Sequence, residues 1–253
     1  MKITLLQRDI YWCEPDKNRR ELERMMEESP GSDLYVMPEM FTSGFCMTPA
    51  KVAEQSQDST TLEWMRRLAV DGHCALAGSM AIEENDRYYN RFYFVFPDGT
   101  EQHYDKHHLF TYGGEQWAYT SGTNRVIVSY KGVRILLQIC YDLRFPVWSR
   151  NKNDYDLILY VANWPASRIP VWDILLHARA LENQCYVAGV NRIGADPLCS
   201  YSGHSIAINA YGKELIALGE KETSSSFFLD MESLQTFRRN FPVLEDRDKF
   251  DII

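Results

Sequence analysis

The sequence predicts an α/β fold in which sheets of mixed strand direction are covered on their outer faces by helices. Three observations point there. Short apolar runs, the signature of buried strands, outnumber the amphipathic helical stretches. Tight turns such as Pro97-Asp98-Gly99 join some strands directly and make them antiparallel neighbours. Helical segments separate other strands and leave room for parallel crossovers.

Taken in order, Ile3 to Leu6 reads as a short buried strand. Lys17 to Glu28 reads as a charged helix with Leu22, Met25 and Met26 on one face, ended by Pro30-Gly31. Leu34 to Met37 is a second strand stopping at Pro38, and Thr60 to Val70 a helix with Leu62, Met65, Leu68 and Ala69 at helical spacing. Ala75 to Ile82, Arg91 to Phe96 and Glu101 to Lys106 are strands, as are Val126 to Tyr130 and Val133 to Ile139 around the Lys131-Gly132 turn. Leu157 to Val161 and Tyr186 to Val190 are strands flanking a helix over Trp172 to Asn183. A late hairpin pairs Ser205 to Asn209 with Glu214 to Leu218. Phe227 to Asp230 is the last strand, followed by a helix from Glu232 to about Arg239. No repeat or linker interrupts the pattern, so residues 1–253 are read as one domain.

Composition narrows the function. The 253 residues are 45% hydrophobic and 25% charged, as in soluble globular proteins, which excludes disordered, collagenous and coiled-coil chains. A net charge of −8 argues against nucleic acid and anionic membrane as partners, since both require basic surfaces. No apolar run approaches the ~18 residues that span a bilayer. Six scattered cysteines without a C-x-x-C pair, and no secretory apolar stretch after Met1-Lys2, read as free thiols in a cytoplasmic protein.

Three places carry reactive residues at strand ends, where α/β proteins gather ligands and catalytic groups. Glu39 follows an apolar strand in Val36-Met37-Pro38-Glu39-Met40-Phe41. Lys106 ends a hairpin strand in Tyr104-Asp105-Lys106-His107-His108-Leu109-Phe110. Cys140 ends a strand in Ile139-Cys140-Tyr141-Asp142-Leu143-Arg144-Phe145-Pro146. Singly, each has a plainer reading. A cysteine ending an apolar strand is most often inert and buried, and a charged residue after a strand is usually solvated. His103, His107 and His108 crowd together but match no zinc-motif spacing.

In combination these segments resemble the nitrilase superfamily of carbon–nitrogen hydrolases, which carries a Glu–Lys–Cys triad in this chain order. Lys106 follows Glu39 by 67 residues and Cys140 follows Lys106 by 34. The resemblance continues through Asn163-Trp164-Pro165, Arg179 to Gln184 and Gly189-Val190-Asn191-Arg192, and so covers nearly the whole chain. It implies a four-layer α-β-β-α sandwich with two mixed central sheets, and a thiol amidohydrolase needing no metal and no cofactor. Glu39 would be the general base and acid, Cys140 the nucleophile and Lys106 the oxyanion donor, with the backbone N–H of Tyr141 as second donor. Glu115, in Gly113-Gly114-Glu115-Gln116, matches the family's second glutamate and would hold Lys106. Asp142 would anchor the loop after the nucleophile, and Arg179 and Glu182 would make structural ion pairs.

The wording Pro38-Glu39-Met40-Phe41-Thr42-Ser43-Gly44-Phe45 and Tyr141-Asp142-Leu143-Arg144-Phe145-Pro146-Val147-Trp148 is similar to the bacterial omega-amidase branch. That branch hydrolyses the terminal amide of dicarboxylate monoamides such as 2-oxoglutaramate. The far carboxylate of such a substrate calls for a second cation, and Arg144 is the candidate, against a structural bond with Asp142 or a backbone carbonyl. Phe41, Phe45, Tyr112 and Trp164 are candidate pocket walls, Phe41 and Trp164 foremost. Another amidase or N-carbamoyl hydrolase with the same triad, a nitrilase, and a catalytically inactive scaffold are the alternatives. So is a thiol redox module, which requires a resolving cysteine near Cys140. The resemblance also implies a homodimer or higher homo-oligomer joined near Phe145 to Asn151 and Val171 to Asn183, with Asp246 to Ile253 crossing to the partner.

Overall fold

The structure, a computed structural model, describes residues 1–251. In chain order the first part comprises β1 (Lys2–Gln7), α1 (Pro15–Glu28), β2 (Leu34–Val36), β3 (Glu54–Gln55) and α2 (Thr60–Gly72). It continues through β4 (Ala75–Glu84), β5 (Arg87–Val95), β6 (Glu101–Asp105) and α3 (Glu115–Ala118). The second part runs β7 (Ile127–Tyr130), β8 (Val133–Ile139), α4 (Pro146–Ser149), β9 (Leu157–Ala162), α5 (Ile169–Glu182) and β10 (Tyr186–Asn191). It closes with β11 (Ile193–Ala195), β12 (Ser200–Ser202), β13 (Ile206–Ile208), β14 (Glu214–Ala217), β15 (Thr223–Phe228) and α6 (Met231–Asn240).

One sheet has the order β15-β1-β2-β4-β5-β6 with β3 beside β4, and the other the order β14-β13-β10-β9-β8-β7. Both are mixed. β1, β2 and β4 run parallel, as do β8, β9 and β10, while hairpin partners such as β4 and β5 are antiparallel. Alternation along each strand assigns its two faces. Leu157, Leu159 and Val161 of β9 join Ile3, Leu5, Phe92 and Leu137 in the core between the sheets. Ile158, Tyr160 and Ala162 face the other way, toward Trp172 and Leu176 of α5. On the opposite outer face, Leu22, Met25 and Met26 of α1 and Leu62 and Met65 of α2 pack with Leu6, Tyr35 and Met37. The layers are helix, sheet, sheet, helix, as expected.

The departures have local causes. Helices α1 and α5 begin before the expected Lys17 and Trp172 because Pro15 and Pro170 sit in their first turns, where proline's missing N–H costs nothing. The last strand is Thr223–Phe228, earlier than Phe227 to Asp230. Its Ser224-Ser225-Ser226 run has no apolar signal, yet it pairs in register with Leu6, Leu5 and Thr4 of β1. Asp230 instead caps α6, its Oδ1 accepting from the Ser233 N–H at 2.9 Å. In the segment expected to cross to a partner, Asp246, Arg247 and Phe250 line one groove with Pro146, Val147 and Arg150. Ile252 and Ile253 of that expectation lie outside the described residues. No helix among the described residues is long and apolar enough to cross a membrane.

Strands β2, β6, β8 and β9 end on the same side of the sandwich, and Glu39, Lys106, Cys140 and Asn163 follow those ends. This is where open α/β sheets place their chemistry.

Candidate active site

Glu39 stands on a loop fixed by the neighbouring strand: Met37 N–H donates to the Ala77 carbonyl at 2.8 Å, and Met40 N–H to Ser79 Oγ at 3.0 Å. Met40 takes a left-handed φ of 44°, an uncommon conformation for a side-chain-bearing residue. The carboxylate is completely buried and held on both oxygens. Oε1 accepts from Lys106 Nζ at 2.8 Å and from Asn90 Nδ2 at 2.8 Å, and Oε2 from the Asn163 N–H at 2.8 Å.

Lys106 leaves β6 with its backbone clamped. Its N–H donates to the Asn90 carbonyl at 3.0 Å and its carbonyl accepts from Gly122 N–H at 2.9 Å. Gly122 approaches so closely that a Cβ there would stand 2.1 Å from the Asp105 carbonyl oxygen. The ammonium, also fully buried, donates to Glu39 and to Glu115 Oε1 and Oε2 at 3.0 and 2.9 Å. Burial alone would lower its pKa, but Glu115, Glu39 and Cys140 outweigh that and raise it above the ordinary lysine range. Glu115 is drawn inward by the Phe110 N–H, which donates to its Oε2 at 2.6 Å. Burial and the neighbouring Glu39 push its carboxyl up, against the pull of Lys106.

Cys140 follows β8 with a left-handed φ of 44° and opens the tight turn Cys140–Arg144. Such a backbone costs about 1–3 kcal/mol and persists only where surrounding bonds enforce it. Buried Asp142 supplies them. Its Oδ2 accepts from the Ile139 N–H at 2.9 Å and Tyr104 Oη at 2.8 Å, and its Oδ1 from the His108 N–H at 3.0 Å and His108 Nδ1 at 2.8 Å. One carboxylate thereby ties the turn at Cys140 to the segment after Lys106. Around it, His108 stacks on Phe145 and His107 on Trp148, each with centroids 3.8 Å apart. Burial pushes the Cys140 thiol well above its usual range and Glu39 adds to this, while Lys106 acts in the opposite direction.

Lys106 and Cys140 line a cavity of about 450 Å³, counting its open mouth. Phe45, Phe110, Tyr141 and Trp164 give it aromatic walls, and Arg144 and Arg168 give it two cations. Asn163 also lines it, with a buried Oδ1 that has no hydrogen-bond partner. A thiol and an ammonium facing one small cavity, backed by two buried carboxylates, suit attack on a polarised carbonyl.

The model of the family described as Carbon-nitrogen hydrolase matches residues 2–239. The chain belongs to the carbon–nitrogen hydrolase family. This hydrolase is 47% identical over 253 residues to Omega-amidase YafV of Escherichia coli strain K12, covering 99% of the chain and 98% of that relative. It is 32% identical to 2-oxoglutaramate amidase of Bacillus subtilis, with 96% of each covered. Among solved structures it matches XC1258 of Xanthomonas campestris, a CN-hydrolase superfamily protein with an arsenic adduct in its active site. The TM-score is 0.96 at 38% identity, covering 100% of this chain and 98% of the other. Saccharomyces cerevisiae Nit3, of branch 10 of the nitrilase superfamily, matches with a TM-score of 0.86 at 25% identity, covering 96% and 94%.

Within the hydrolase, the structure brings Glu39, Lys106, Glu115 and Cys140 to one place and puts Tyr141, Arg144 and Trp164 at the cavity. Phe41 requires correction. It is 1% exposed and packs in the outer core beneath α1 and α2, 6.2 Å from the Trp64 ring and against Gly78. Two residues after Glu39 the chain has turned back toward the sheet, so the wall it was expected to form is supplied by Phe45. Tyr112 is exposed. Arg144 makes no salt bridge with Asp142; its guanidinium lies over the Trp164 ring, 5.0 Å from the centroid. Arg179 pairs with Glu182 at 2.8 Å. Cys199 lines the same cavity as a free thiol. Sequence reasoning missed Asn90 and Arg168. An asparagine in the middle of β5, where asparagine is disfavoured, was the available signal for the first. For Arg168 the sequence carries none.

Proposed function

We propose that the hydrolase cleaves the terminal amide of small dicarboxylate monoamides such as 2-oxoglutaramate, giving the dicarboxylate and ammonia. The single observation carrying the chemistry is Cys140 and Lys106 at one cavity, with Lys106 held between two buried carboxylates. The substrate class is supported by the omega-amidase and 2-oxoglutaramate amidase relatives and by two guanidiniums in a cavity that is otherwise largely aromatic.

In this reading the resting enzyme holds Cys140 as a thiol, in keeping with its raised pKa. Glu39 takes the proton as sulfur attacks the amide carbon. The oxyanion receives hydrogen bonds from Lys106 and from the Tyr141 N–H. One Lys106 proton shared between the two Glu115 oxygens, and one on Glu39, leave the third for the substrate. Asn163 Oδ1 accepts an N–H of the amide. Glu39 returns the proton to the nitrogen, ammonia leaves, and the acyl group stays on Cys140 as a thioester. Glu39 then deprotonates water for hydrolysis, which restores the thiol and releases the carboxylate. Arg144 holds the distal carboxylate, with its guanidinium oriented by Trp164.

We further infer a cytoplasmic homodimer joined through α4 and α5, where Val147, Ile174 and Leu181 expose apolar surface. The test of function is ammonia release from 2-oxoglutaramate, succinamate, glutamine and a simple nitrile, by wild type and Cys140→Ala. Cysteine-dependent release from the first two is expected. Turnover of the nitrile alone would reject the substrate class.

A further inference from the structure

Arg144 and Arg168 differ from every other arginine of the described residues that is not surface-exposed. Each of the others donates at least one side-chain hydrogen bond to protein, as Arg91 does to Glu84 and Asp105, or Arg238 to Asp156. Arg144 and Arg168 donate none and form no ion pair, yet both are half-buried and line the cavity that holds Cys140. Each is instead placed by an aromatic face. Arg144 lies over Trp164, and Arg168 over Phe110 at 5.3 Å from the ring centroid. The two shelves are themselves linked, because Trp164 Nε1 donates to the Arg168 carbonyl at 2.9 Å. Phe110 is linked in turn to the catalytic cluster, its N–H donating to Glu115.

An aromatic face orients a guanidinium without consuming its N–H donors. Two partly desolvated guanidiniums in one small cavity also repel each other and raise the local potential, which an anion relieves. We propose that Arg168 is a specificity-determining residue that joins Arg144 in a two-guanidinium clamp on the substrate's distal carboxylate. The proposal rests on the reading above that the substrate carries such a carboxylate. Arg168 lies 24 residues beyond Arg144, in the short turn Ala166–Arg168 that leads into α5, so two separate segments fix the distance between carboxylate and amide.

The test compares succinamate with butyramide, an uncharged amide of the same chain length, by kcat/KM in wild type, Arg168→Gln and Arg168→Lys. Arg87→Gln, at an exposed arginine, controls for loss of charge alone. Arg168→Gln is expected to lower the succinamate-to-butyramide ratio about 10–100-fold, mainly through the KM for succinamate. Arg168→Lys, which keeps the charge but not the fork, should lose less. Competitive inhibition by glutarate should weaken in parallel. A ratio and a glutarate inhibition constant that stay at wild-type values in both variants would overturn the clamp while leaving the substrate class standing, as would equal losses on both amides. Wild type showing no preference for succinamate over butyramide would instead bring down the substrate class, and the clamp with it. Should Arg168→Gln fail to fold, Arg168→Lys and the glutarate measurement decide alone.

Discussion

Lys106 occupies a site that only its neighbours make tenable. A fully buried ammonium is costly, and here Glu39 and Glu115 both contact it, so removing the charge leaves two buried carboxylates facing each other. Lys106→Ala is expected to lower kcat about 10²–10³-fold with a smaller change in KM, read from steady-state kinetics on succinamate. An unchanged kcat would remove Lys106 from the oxyanion role. Arg144→Ala should harm succinamate far more than butyramide, and an equal effect on both would make that residue structural. Cys140 adds a pH signature, since its thiol is raised by burial first and by Glu39 next. Below the ordinary thiol range both folded and unfolded chains hold this proton. Above about pH 8.5 the unfolded chain releases it first, so stability falls as pH rises toward the folded value. Between pH 8 and 10 the Tm of Cys140→Ala should therefore fall less than that of wild type, by about 2–4 °C; parallel losses would refute the raised thiol. That Glu39, Lys106 and Cys140 meet at one place was legible because their motifs, taken together and in order, resemble those of one family. Phe41 was misread because adjacency in sequence says nothing about which way a loop side chain turns. Asn90 and Arg168 reach the site only through the fold.

Two short segments set the geometry of the site. The turn after β8 depends on Asp142, which gathers four donors from three residues. Asp142→Ala leaves several of these buried donors unmatched and releases the strained φ at Cys140. A loss of about 2–4 kcal/mol in denaturant unfolding, with kcat falling further than the remaining folded fraction explains, is the expected outcome. The segment after β6 depends on Gly122, where any Cβ collides with the Asp105 carbonyl. Gly122→Ala should displace Lys106 and cost activity well before it costs fold, as kcat beside circular dichroism would show. Strands buried on both faces, such as β8 and β9, were readable as short apolar runs because each face meets a packed layer. Strands β15, β11 and β12 were not, since pairing with a neighbour rather than apolar content defines them.

At the scale of the molecule, two mixed sheets bring the ends of β2, β6, β8 and β9 together, so residues far apart in sequence converge, Asn163 and Glu39 among them. The sandwich itself was legible in the pattern of short strands and outer helices, while the number of layers came from the family resemblance. The apolar residues exposed on α4 and α5 give the association prediction its form. Ile174→Glu with Leu181→Glu should shift the protein to monomer in analytical ultracentrifugation, and an unchanged sedimentation coefficient would exclude that face. In the proposed mechanism the acyl group passes through Cys140. This is tested most directly by mixing enzyme with succinamate, quenching in acid within the first turnovers and measuring intact mass and peptide masses. A covalent route requires one succinyl group on the peptide containing Cys140, formed with release of one ammonia per enzyme and absent from Cys140→Ala. A burst of ammonia with no mass on that peptide, or turnover by Cys140→Ala, would contradict it.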